Sequence, residues 1–235
     1  MQLKLCSMFS EATALIRESL YGVWGRTTIG DKIYHTPSSG FMISPGVVMT
    51  NAHSVHLDGD VTKPVNKELD VIRSPDIGKQ AEATTLITED IERDLALLRV
   101  KNPRSTRCVT LENRVLPSGT LCGSLGFPLP KVLSTPTGPQ IVLVERFQGA
   151  FISAYVIDNL TGKPLPWYEV DKQIYGGGSG CPGFLENGNV VGIMSRVRDP
   201  ESESDIPPAK RHHLEISCWI PSTEAIAFAR RSGIL

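Results

Sequence analysis

The chain of 235 residues predicts an all-β fold built as one globular unit, with a short helix at each end. Three observations carry that expectation. First, 21 glycines and 17 prolines interrupt the sequence at short intervals, the spacing that many short strands joined by turns require. Second, the segments between them are brief runs rich in Val, Ile, Leu and Thr, such as GFMIS, GVVMTN, LALLRV and QIVLVERF, separated by SPG, LPSG and TPTG turns. Third, apolar residues take up helical spacing near the two ends.

Taken in order, Ser10 to Tyr21 sets Ala12, Leu15, Ile16 and Leu20 on one helical face, with Glu11 at the positive end of the dipole. Strand-like runs fill the chain from Val23 to about Val156. A second set follows in GFLENGNVVGIMSRV, where Asn187 and Gly188 form a hairpin signal between apolar runs. Residues 199–213, DPESESDIPPAKRHH, have the composition of an exposed loop between two strands. Ser222 is placed to cap a last helix in which Ile226 and Phe228 supply apolar surface, Arg230 and Arg231 sit in the last turn and Gly233 provides the stop.

Composition narrows the function classes. Apolar residues make up 40% of the chain and charged residues 21%, ordinary for a protein that buries a core. The 24 Lys and Arg against 25 Asp and Glu leave a formal net charge of -1, so no overall field draws the chain to nucleic acid or anionic lipid, and neither is an expected partner. No stretch approaches membrane-spanning length, and the N-terminus, MQLKLCSMFSEATALIRES, is too interrupted by polar residues for the apolar core of a signal peptide. Cys6, Cys108, Cys122, Cys181 and Cys218 are odd in number and lack CxxC spacing. That argues against a zinc site or a complete disulfide framework and for free thiols in a reducing, cytoplasmic setting. His212 and His213 have no evident third ligand, so no metal and no cofactor is expected.

Three short segments stand out together: TNAHSV from Thr50, RDLALLRV from Arg93 and GGGSGCPGF from Gly176. A serine hydroxyl attacks a carbonyl only when a base accepts its proton as the bond forms. Histidine suits that task, and a buried carboxylate on its other nitrogen fixes the tautomer and stabilises the imidazolium. His53, Asp94 and Ser179 supply the three groups, and the Gly177 and Ser179 amides are the candidate oxyanion donors in a tight glycine-rich loop. Their order, His then Asp then Ser, is that of one serine-hydrolase template and differs from the orders of two others. Alone, a GGGSG run is usually a flexible turn, a single histidine a structural one and a single aspartate a solvated one. It is their joint occurrence, each beside a strand-like run, that points to catalysis. Competing readings of the glycine segment fit less well. A GxSxG elbow fails because Cys181 holds its last position, a phosphate-binding loop needs a lysine where Pro182 and Gly183 stand, and Ser179 rather than Cys181 occupies the nucleophile slot.

At these residues the chain resembles the trypsin-like peptidases, and within them the HtrA/DegP branch more than the digestive trypsins. The stretches SSGFMISPGVVMTNAHSV, DLALLRV, LPSGTLCGSLGFP, RFQGAFISAYV and VDKQIYGGGSGCPGFLENGNVVGI carry the resemblance over most of the chain. It implies a chymotrypsin-like double barrel of two six-stranded antiparallel β-barrels, the first with the N-terminal helix over about 1–110 and the second with the C-terminal helix over about 111–235. It also implies a serine endopeptidase acting on protein or peptide substrates through an acyl-enzyme. By the same resemblance Ser195 falls where a serine bonds the catalytic aspartate, and Arg196 and Val197 lie on the strand that pairs with substrate backbone. Gln173 falls at the base of the primary specificity pocket, and its neutral side chain implies cleavage after small or medium apolar residues rather than after Lys or Arg.

Two departures from the family pattern matter. Gly178 stands where digestive relatives carry the aspartate that pairs with a newly cut N-terminus, so that activation route is not expected and any regulation falls to loop ordering or an activating protein partner. Cys181 replaces a glycine beside the nucleophile and reads as a small buried residue. The rival function is a catalytically silent peptide-binding or scaffold module on the same fold. Too few residues follow Gly192 for a PDZ-type domain, and no motif demands a homo-oligomer.

Overall fold

A computed structural model describes residues 8–135, 138–159, 163–172, 175–197 and 216–235. The first helix, α1 (Ser10–Arg17), buries Ala12 and Ile16 but stops short of the expected Tyr21, and Leu15 is 60% exposed. Leu20 and Tyr21 open strand β1 (Leu20–Ile29), paired opposite Phe41 and Gly40. Both are fully buried there, so tertiary pairing overrides the local helical pattern.

Strand β1 closes a barrel with β2 (Lys32–Ser44), β3 (Val47–Thr50), β4 (Glu68–Arg73), β5 (Glu82–Asp90) and β6 (Leu95–Val100), in the order β1-β2-β3-β6-β5-β4. A second barrel contains β7 (Leu121–Gly126) and, after the hairpin of β8 (Lys131–Thr135) and β9 (Gly138–Val142), β10 (Arg146–Asp158), β11 (Leu165–Val170), β12 (Pro182–Phe184), β13 (Val190–Val197) and β14 (Ser217–Pro221). Its order is β10-β11-β14-β13-β12-β7, and all the pairings in both barrels are antiparallel.

Several strands are apolar on both faces because each face meets a different core. Val48, Ala96, Leu98 and Met42 point into the first barrel, while Met49, Leu95, Leu97 and Phe41 pack outward between the barrels. The second barrel repeats the pattern: Val191, Met194 and Trp219 point inward, and Val190, Ile193 and Ile220 join the central cluster. Side chains alternate across a strand, so a continuous apolar run such as LALLRV is what a strand buried on both sides needs.

Local corrections have local causes. QIVLVERF is not one strand: it breaks at residues 143–145, where Glu145 accepts from Arg17 Nε at 2.9 Å and from the Ser74 hydroxyl at 2.5 Å. The last helix, α2 (Ser222–Arg231), takes Pro221 as its N-cap residue, and the Ser222 hydroxyl donates to the Glu112 carbonyl at 2.6 Å instead of capping. The Asn187–Gly188 hairpin forms between β12 and β13, with Gly188 at φ +83° donating to the Leu185 carbonyl. Gly233 at φ +68° ends α2, as the sequence predicts. Cys6, residues 199–213 with the His212–His213 pair, and part of the TPTG turn lie outside the described residues. No helix among those described is long and apolar enough to cross a membrane.

Candidate active site

The site is assembled from both barrels. His53 opens a 3-10 turn (His53–Val55) just after β3, and Asp94 directly precedes β6, the strand paired with β3. Asp94 sits at φ +56°, a left-handed conformation tolerated by aspartate better than by most residues. Its carbonyl accepts from Asn51 Nδ2 at 2.9 Å, which fixes the backbone in that conformation. The residue as a whole is 1% exposed. It takes the His53 ring nitrogen Nδ1 at 2.8 Å, the His53 backbone N–H at 3.0 Å and the Ser195 hydroxyl at 2.5 Å.

Burial alone pushes the Asp94 pKa up. The hydrogen bonds and charge attraction of His53, with the Ser195 hydroxyl, outweigh burial and hold the carboxyl below the ordinary aspartate value. With Nδ1 facing the carboxylate, the neutral ring carries its hydrogen there and keeps a lone pair on Nε2.

Ser195 reaches Asp94 because β13 bulges. The register against β14 shifts between Met194 and Arg196, which leaves Ser195 as the extra residue. Bulges beside functional sites redirect side chains in this way. The Ser195 carbonyl, in turn, accepts from the Ser179 hydroxyl at 3.5 Å, so one residue touches both the buried carboxylate and the serine. Arg196 places Nη2 3.7 Å from Asp94 Oδ2 and its guanidinium over the Trp167 ring at 5.6 Å. Val197 ends β13 opposite Ser217. The chain leading into β12 stays paired with β13 as far as Met194, which accepts from the Gly180 N–H and donates to the Cys181 carbonyl, and a hollow of about 580 Å³ lies beyond, lined by His53, Asp60, Ile91, Asp94, Ser195 and Arg196.

The glycine segment between β11 and β12 folds as two successive turns. Gly178 N–H donates to the Tyr175 carbonyl at 3.0 Å around Gly177 at φ +91°, and Cys181 N–H donates to the Gly178 carbonyl at 3.0 Å around Gly180 at φ +80°. A positive φ at the second central position is the type II requirement, which glycine meets without strain. Space demands glycine as well: a Cβ on Gly180 would lie 2.2 Å from the Ser39 carbonyl oxygen, and one on Gly177 would lie 2.7 Å from the Phe127 oxygen. Among the described residues the carbonyls of Tyr175 through Ser179 all have donors, whereas the Gly177 and Ser179 amides have no acceptor.

Gln173 lies outside the described residues. Cys181 points away from the serine into the second barrel beside Cys122 and Trp219, and burial pushes its thiol up to about 12. Gly126 makes the room, since a Cβ there would lie 2.6 Å from that of Cys181. Sequence reasoning missed Asn51 and Ser39. Their signal was faint: an asparagine in TNAH, and a serine pair inside a run that otherwise forms a strand.

Comparison with known families matches residues 38–193 to the trypsin-like peptidase domain. The chain belongs to that family. The matched stretch runs from β2 through the glycine segment into β13, so it takes in His53, Asp94 and Ser179. Among solved structures, the active form of the Rv3671c protease from M. tuberculosis superposes with a TM-score of 0.69 at 20% identity, over 94% of this chain and 84% of that one. The HtrA-type protease AlgW with a tripeptide gives a TM-score of 0.69 at 17% identity, over 96% of this chain and 63% of that one. At such identities these likenesses show the fold. A comparison with the sequences of curated proteins finds no match.

Proposed function

We propose that the protein is a serine endopeptidase in which Ser179 is the nucleophile, His53 the general base and Asp94 the residue that orients His53. The observation that carries this reading is the fully enclosed Asp94 carboxylate, held at 2.8 Å from His53 Nδ1 and joined through Ser195 to the Ser179 hydroxyl. In the first half-reaction Ser179 Oγ bonds to the scissile carbonyl carbon while His53 Nε2 takes its proton. The C–N bond then breaks, and that proton passes to the leaving amine. Water repeats the sequence on the acyl-enzyme: its proton goes through His53 to Ser179 Oγ as the carboxylate product leaves. The two amides without acceptors, Gly177 and Ser179, serve the developing oxyanion.

The substrate enters as an extended backbone along Arg196 and Val197, where β13 runs past the end of β12. This favours flexible or unfolded protein chains, cut after small or medium apolar residues. A conditional form of the activity has its own support, because the Ser179 hydroxyl faces the Ser195 carbonyl at 3.5 Å. A substrate N–H that takes this carbonyl releases the hydroxyl towards His53.

Incubation with casein, alone and with cell extract, tests the proposal. Wild type cleaves and is labelled by a serine-directed phosphonate, and Ser179→Ala does neither while remaining folded. Equal peptide binding by both proteins with cleavage by neither would establish the scaffold reading instead. Cleavage after Lys as good as after apolar residues in a peptide panel would refute the proposed selectivity.

A further inference from the structure

Ser39 lies on β2 of the first barrel and is fully buried, yet all its polar atoms face the glycine segment or the strands beside it. Its N–H donates to the Ser179 carbonyl at 2.8 Å. Its hydroxyl donates to the Gly177 carbonyl at 2.9 Å and accepts from the Phe127 N–H, at the end of β7, at 3.0 Å. Its carbonyl accepts from the Thr50 hydroxyl at 2.7 Å, three residues before His53.

The consequence follows from peptide planarity. The Gly177 carbonyl shares a plane with the Gly178 N–H, and the two point in opposite directions. Ser39 Oγ holds one end of that plane and the Tyr175 carbonyl the other. The preceding plane, which carries the Gly177 N–H, is held at its carbonyl end by the Leu129 N–H at 2.7 Å. Gly177 is the joint between them, and a glycine has no Cβ to resist rotation of either plane. Among the described residues, Ser39 is the one whose side chain bonds the main chain between Tyr175 and Ser179.

We propose that Ser39 is a positioning residue for the oxyanion site: its hydroxyl, bridging Phe127 N–H and the Gly177 carbonyl, fixes the Gly177 peptide so that the Gly177 and Ser179 amides stay aimed at the reacting carbonyl. The inference rests on the serine-peptidase reading. Removing the hydroxyl also leaves a buried donor and a buried acceptor unpaired, which favours a flipped peptide that satisfies them elsewhere.

The test compares wild type, Ser39→Ala and Ser39→Thr on a fluorogenic peptide. Affinity is measured for a peptide aldehyde, whose adduct with serine places an oxyanion in the site, and for the matching peptide amide, which binds through the cleft alone. Thermal unfolding checks the fold. Since loss of one oxyanion donor costs about 10²–10³ in kcat, loss of the residue that orients one is expected to lower kcat about 10- to 100-fold. KM should stay within about threefold, and aldehyde affinity should fall about as much as kcat, with amide affinity unchanged. Ser39→Thr, which keeps the hydroxyl, recovers most of both. Unchanged kcat in Ser39→Ala, an equal loss for aldehyde and amide, or no recovery in Ser39→Thr overturns the proposal while the peptidase reading stands. If wild type neither cleaves nor captures the aldehyde, both fall together. Should Ser39→Ala fail to fold, Ser39→Cys, a weak donor, is expected to show the same split at smaller amplitude, and its absence is equally decisive.

Discussion

Replacing Ser195 by alanine removes one of three donors from a carboxylate that has almost no access to water. The lost bond, from the hydroxyl to Asp94 Oδ2 at 2.5 Å, involves a charged acceptor, for which about 1.5–3 kcal/mol is typical. The side chain that loses it is only 2% exposed. For a chain of this size that loss corresponds to a fall in Tm of roughly 3–12 °C. The pH dependence has a definite sign. Asp94 is held below its ordinary pKa in the folded protein, so the stability it contributes is present above the unfolded value and is lost as pH falls through the folded one. The deficit of Ser195→Ala is therefore full and flat between about pH 5 and 8, and narrows only below the ordinary carboxylate pKa of about 3.9. His53 keeps its backbone and ring contacts to Asp94, so kcat/KM is expected to fall by less than about tenfold. Calorimetry across this pH range, with peptide kinetics at each pH, is the assay. A deficit under about 0.5 kcal/mol, or one already gone at pH 6, would show that the buried carboxylate does not depend on this bond as argued.

Two further outcomes are expected. Iodoacetamide should label exposed Cys108 in the native protein and reach Cys122 and Cys181, both pushed up to about 12 by burial, only after unfolding. Mass spectrometry reads this directly, and loss of peptidase activity on native labelling of Cys181 would contradict it. Gly183→Ala puts a Cβ 1.8 Å from the buried Trp219 ring and should cost more than about 3 kcal/mol, whereas Gly149→Ala, whose nearest neighbour is 3.9 Å away, should be close to neutral. Denaturant unfolding of the pair decides, and similar stabilities would show that the Trp219 packing yields.

The strands, and the segments that carry the proposed catalytic groups His53, Asp94 and Ser179, were legible because their signals are local. LALLRV announces a strand buried on both faces, and Gly177 and Gly180 of the GGGSG run sit at turn positions where the backbone and the available space demand glycine. What stayed hidden depends on partners far away in the chain. Leu20 and Tyr21 suit a helix face as well as a strand, and pairing with Phe41 and Gly40 decides the matter. Ser222 has the chemistry of a cap, but the Glu112 carbonyl, 110 positions earlier, competes for its hydroxyl. Ser39 illustrates the general limit: its hydroxyl acts on Phe127 and Gly177, 88 and 138 positions away, and nothing in the local sequence specifies either distance.

The division of labour between barrels carries a mechanical implication. The His53 imidazole and the Asp94 carboxylate ride on one closed sheet, the Ser179 hydroxyl and Ser195 on the other, and the central cluster of Phe41, Leu95, Phe184 and Ile193 packs between the two. Sliding of one sheet against the other by an ångström would separate these groups with both hydrogen-bond ladders intact. On the proposed reading, activity becomes a gauge of docking, expected to be extinguished by solvents or substitutions that loosen this apolar seam well before circular dichroism registers any loss of strand.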